Sequence, residues 1–86
     1  MSQFKTEPKF SPVFEAVERA LTDDQYLDVG QVMTENTVHE LRSRFQHRDP
    51  AHTDRLATIE AVDQLVATGW VKWEDMFGSR CVRRLI

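Results

Sequence analysis

The chain has little cysteine, little glycine and no long apolar run, and each shortage excludes something. A single cysteine among 86 residues, Cys81, cannot form an internal disulfide, and such usage fits a reducing compartment. No stretch approaches the roughly 20 consecutive apolar residues that cross a bilayer. The opening MSQFKTEPKF lacks the apolar centre of a signal peptide. A cytoplasmic protein without a membrane partner is therefore expected. The three glycines never cluster into a phosphate-binding loop, and there is no CxxC pair and no histidine pair at i, i+4. The length suffices for one modest core and leaves no room for a deep catalytic cleft, so no enzyme activity and no cofactor are expected.

What is present is ordinary for a folded domain: 41% hydrophobic and 29% charged residues. The net charge of −3 is unevenly spread. Residues 1–41 hold Lys5, Lys9 and Arg19 against eight carboxylates, giving −5, whereas residues 42–86 hold eight basic side chains against six acidic ones, giving +2. Such an asymmetry can steer an anionic partner to one face.

Residues 1–10 have no clear period and carry Pro8, which predicts a loose N-terminal arm ahead of a domain spanning 11–86. Ser11-Pro12 is a helix start, a serine cap followed by a proline whose missing N–H costs nothing there. Val13, Phe14, Val17, Ala20 and Leu21 then form one apolar face of a helix over about 12–22. Thr22-Asp23-Asp24 breaks it. Tyr26 to Val29 reads equally as a short strand or a helical turn. A second helix, capped by Thr34 or Asn36 and running to about Gln46, places Val38, Leu41 and Phe45 inward and His39, Arg42 and Arg44 on its other face. The turn is His47 to His52, set by Pro50.

Thr53 caps a third helix that ends at Gly69. Its core side by helical angle is Leu56, Ile59, Ala61, Val62, Leu65 and Val66, and the opposite side shows Ala57, Glu60, Gln64 and Ala67. With almost no loop a strand begins at Trp70, and a basic strand from about Arg80 to Ile86 returns after a turn in Glu74 to Ser79. Trp70 and Trp73 point to opposite faces of that hairpin, so at most one is core.

The run Leu65-Val66, Gly69-Trp70-Val71, a charged hairpin with Arg80, and the closing Arg83-Arg84-Leu85 resembles the winged helix-turn-helix superfamily, over about residues 12–86. The fold implied is α+β: three helices followed by a C-terminal β-hairpin wing. The resemblance also implies a DNA-binding regulator of transcription, often a homodimer, with helix three in the major groove and the wing on phosphates or the minor groove. Gln64 is then placed to read adenine. Arg42, Arg44, Arg48, Arg55, Lys72, Arg80, Arg83 and Arg84 are the candidates to hold double-stranded DNA in place. Helix three also carries Glu60, Asp54 and Asp63, which oppose phosphate contact. The second expectation is accordingly a protein partner, docked by Glu60 with Trp73, Met76 and Phe77 of the hairpin as apolar anchors, in an adaptor or inhibitor of the phage or mobile-element kind.

Two further clusters read more simply. His47, Asp49, His52 and Asp54 are residue types that hold zinc, but polar turn residues are the plainer reading, and no metal is expected. Cys81, between Arg80 and Arg83, has no neighbouring base and reads as a small hydrophobe in a strand.

Overall fold

A computed structural model describes residues 12–46 and 54–86. The expected arm and the whole of the expected turn, with Arg48 and the zinc-type residues His47, Asp49 and His52, lie outside those residues. The described elements are helix α1, Pro12–Thr22; strand β1, Val32–Thr34; helix α2, Glu35–Gln46; helix α3, Arg55–Ala67; and strands β2, Val71–Met76, and β3, Ser79–Arg84. The architecture is α+β, with three helices and a three-stranded antiparallel sheet in the order β1-β3-β2. No described helix is long and apolar enough to cross a membrane.

α1 begins at Pro12 as its sequence dictates and buries Phe14, Ala16, Val17, Ala20 and Leu21. Burying each large apolar side chain here contributes about 1.5–3 kcal/mol. After α1 the Asp23 carboxylate accepts from Gln25 N–H at 2.9 Å, and its carbonyl from Tyr26 N–H at 2.8 Å. Residues 24–26 are therefore a turn, and the Tyr26–Val29 stretch is not a strand. The strand of this region comes later, at Val32–Thr34. Gly30 takes φ 88°, open to glycine without strain, and sends its N–H to the Arg84 carbonyl at 2.8 Å. That bond aligns Val32 with Arg83, Met33 with Val82 and Thr34 with Cys81.

Thr34 is the cap of α2: its hydroxyl accepts from Thr37 N–H at 3.1 Å. Asp54 rather than Thr53 caps α3, accepting from Leu56 N–H at 3.0 Å. α3 sits rotated from the expected orientation. Leu56 is 63% exposed, whereas Thr58 is 1% exposed. The Thr58 hydroxyl lies 3.4 Å from His39 Nδ1 on α2 and 3.5 Å from the Asp54 carbonyl, and these contacts let a polar residue sit inside.

The hairpin is longer and tighter than expected. β2 continues through Glu74 and Asp75 to Met76, which pairs with Ser79, leaving only Phe77 and Gly78 as the turn. Their φ values of 54° and 77° give the two-residue turn whose twist matches a β-hairpin, the type I′ form. Val71 and Trp73 of β2 oppose Arg84 and Val82 of β3 on the helix-facing side. Trp73 packs half-buried against the core, and Trp70, 37% exposed, does not.

Candidate nucleic-acid interface

Nine residues were candidates for nucleic-acid contact; eight lie among the described residues, and the fold disperses those eight. Two are inside. Arg42 is 2% exposed and donates from Nη2 to the Asp54 carbonyl at 3.1 Å, so it braces the start of α3 from α2. Arg84 is 8% exposed; its Nη1 meets Asp24 at 2.5 Å and the Leu27 carbonyl at 2.6 Å, and its Nε meets the Ile86 carbonyl at 2.9 Å. Both expectations of a phosphate contact are corrected by burial. Arg84 supplies a donor to the buried Leu27 carbonyl, and Arg42 adds a second donor to the Asp54 carbonyl, which already accepts from Thr58 N–H at 3.3 Å; a long guanidinium stem reaches such atoms through apolar packing.

Arg83 is half-buried on the sheet face away from the helices. It is held by Glu74 at 2.6 Å, by the Gly30 carbonyl and by Met76 Sδ at 4.0 Å. Arg44 and Lys72 are exposed, and Gln64 is half-buried.

The two that come together are Arg55 and Arg80. Arg55, the first residue of α3, and Arg80, the second of β3, line one open depression of about 270 Å³ with Thr34, Glu35, Asn36 and Ser79. Arg55 Nη1 donates to Asn36 Oδ1 at 3.1 Å, which steadies it against the start of α2. Arg80 lies over the Trp73 ring, 3.7 Å from its centroid, a cation–π contact within the hairpin. Thr34 and Asn36 were read from sequence only as caps of the second helix and Ser79 only as the end of a turn, because they join the arginines only through the packing of α2, α3 and the hairpin.

The residues expected at a protein interface divide as well. Phe77 is 97% exposed at the hairpin tip, and Glu60 is exposed on α3. Met76 is half-buried beside Arg83. Trp73 is a correction, since core packing on one side and Arg80 on its ring leave it little surface for a partner. Its indole N–H is also committed, to Asp63 Oδ1 at 2.7 Å.

The outward face of α3 is Leu56, Glu60, Asp63 and Ala67, all exposed, with two carboxylates and no cation. His39, half-buried between α2 and α3, has its pKa lowered from 6.5 by burial first and then by Arg55 and Arg42. Cys81 is a buried free thiol. Among the described residues there is no group of three metal-ligating side chains. No protein-family model, curated protein or solved structure gives a significant match to this chain.

Proposed function

We propose that the chain is a winged helix-turn-helix module that binds nucleic acid as a small regulator. The order α1-β1-α2-α3-β2-β3 and the sheet order β1-β3-β2 support the fold, with α2 and α3 as the helix pair and β2–β3 as the wing. One observation carries the function: Arg55 from the start of α3 and Arg80 from the wing face a single depression. Two guanidiniums lining one depression suit phosphate oxygens, which accept from their planar forks in pairs. The outward face of α3 supplies no cation, so the wing and the start of α3, rather than the length of that helix, hold the backbone. A module with so few contacts gains specificity by acting as a homodimer.

The test is fluorescence anisotropy of mixed-sequence DNA, duplex and single-stranded, at two salt concentrations. Binding that weakens with salt, and weakens further in R55A and R80A, supports the proposal. An absence of binding to either form at low salt overturns it.

A second reading is favoured by the α3 face itself. Leu56, Glu60 and Asp63 form an exposed apolar and acidic strip that suits a basic protein surface, as in an adaptor or inhibitor docking on a nucleic-acid-binding partner. Under that reading E60K and L56D abolish capture of the partner, while R80A leaves it unchanged.

A further inference from the structure

The hairpin tip carries two local penalties on one residue. Phe77 is 97% exposed, so its ring gains nothing from the protein's own core. It also has φ 54°, in the left-handed region where a bulky residue is an outlier and where asparagine or glycine is usual for this turn. Neither feature stabilises the folded chain. A strained and solvated aromatic at a tip is a residue held ready for contact with something else.

The next residue but one is Ser79, which lines the depression with Arg80 and Arg55. Ser79 and Arg80 of the depression and the exposed ring of Phe77 therefore belong to the same end of the hairpin. The surroundings limit the size of an anionic ligand. Glu35 lines the same depression, and Asp54, Glu60 and Asp63 lie along α3. A duplex presents a continuous row of phosphates, and each of those carboxylates subtracts from its binding. The first turn of α2 adds no free donor at Thr37, whose N–H is taken by Thr34. Among the described residues the cations lining the depression are these two arginines, enough for one or two phosphates.

We infer that the hairpin tip and the depression bind an unpaired stretch of nucleic acid, one phosphate between Arg55 and Arg80 and the adjoining base stacked on Phe77. This rests on the nucleic-acid reading above and narrows it from duplex to single strand. Stacking is indifferent to base identity, because every base has a π face, so the site has little sequence preference. A free nucleotide offers the same phosphate and base, and the test separates the two sources.

The experiment uses the full chain and its F77A, F77W, R55A and R80A variants, each checked for an unchanged circular dichroism spectrum and melting temperature. The probes are a fluorescein-labelled oligothymidylate of about eight residues, a blunt duplex of the same length, and unlabelled thymidine monophosphate as competitor. The single strand binds more tightly than the duplex. F77A weakens it by about 5-fold or more, F77W restores it, and each arginine variant lowers both the affinity and its salt slope. Thymidine monophosphate that competes at equal nucleotide concentration assigns the site to free nucleotides, and failure to compete assigns it to the strand; both keep the shared chemistry. Binding by a folded F77A variant equal to that of the native chain overturns the inference. So does a preference for duplex, which leaves the broader reading standing. Silence towards strand and duplex alike removes both.

Discussion

The indole N–H of Trp73 donates to the Asp63 carboxylate at 2.7 Å, tying the middle of β2 to the third turn of α3. The same ring carries Arg80 on its face, so one tryptophan joins helix, sheet and depression. D63A removes a solvent-exposed bond and lowers stability by about 0.5–1 kcal/mol. W73F removes the donor and shrinks the surface under Arg80, and lowers it by about 1–2 kcal/mol. Urea midpoints measure both, and equal losses would show that the ring's contact with Arg80 contributes nothing.

Arg84 is worth more than its ion pair. Its partner Asp24 has a side chain 78% exposed, so solvent screens the pair, and D24A costs less than about 1 kcal/mol. R84M strands the Leu27 and Ile86 carbonyls and costs about 2–4 kcal/mol. R42M costs less, because the Asp54 carbonyl loses one donor but keeps Thr58 N–H at 3.3 Å. Denaturant unfolding of the three variants checks the ranking, and a D24A loss as large as that of R84M would return the weight to the salt bridge.

These two arginines show where sequence reading stopped. Pro12, Gly69 and the alternation of β2 and β3 are local signals, and they located α1, the end of α3 and the hairpin. Nothing local marks Arg42 and Arg84 as internal, since the carbonyls they satisfy belong to Asp54, Leu27 and Ile86 and meet them only after folding. Leu56 misled in the other direction. The sequence reading places it on the core side, but at about 100° per residue it lies opposite the stripe of Thr58, Ala61, Val62 and Leu65 that is buried. The turn was legible within Glu74 to Ser79, with Gly78 as its glycine, but its two-residue extent was hidden because phenylalanine is a poor choice for positive φ. Of the depression, only Arg55 and Arg80 were legible, and only as members of a longer list.

His39 makes stability depend on mildly acidic pH. Its folded pKa lies below 6.5, because burial and the Arg55 and Arg42 charges disfavour the imidazolium, with Glu35 and Glu40 opposing. The unfolded chain therefore binds the proton first as pH falls. The stabilisation is full above 6.5 and is lost as pH descends from there through the lower folded value. In H39Q that segment of the pH–stability curve flattens. Thermal melts of both proteins from pH 7.5 down to about pH 5 measure it, and parallel curves would remove His39 as the cause.

Phe77 should be replaceable at a gain to the fold. F77G relieves the positive φ at a two-residue turn and raises stability by about 0.5–1 kcal/mol, since the ring contributes no burial. G78A moves the other way by a similar amount, since φ 77° strains any side chain there even though a Cβ would meet no atom within 4 Å. Melting temperatures decide both, and a loss in F77G would mean the ring has an intramolecular contact.

β3 is the central strand, and both β1 and β2 bond only to it within the sheet. A ribosome delivers the described helices, β1 and β2 before the β3 partner of either strand exists, and until residues 79–84 emerge none of the described sheet pairs can form. At about 5–20 residues per second this interval is brief. During it the nascent protein exposes two unpaired strands and the apolar side of Val71 and Met33, the condition that a holdase chaperone recognises. Pausing translation shortly after residue 78 would lengthen that exposure, and the whole β component of the domain waits on its last strand.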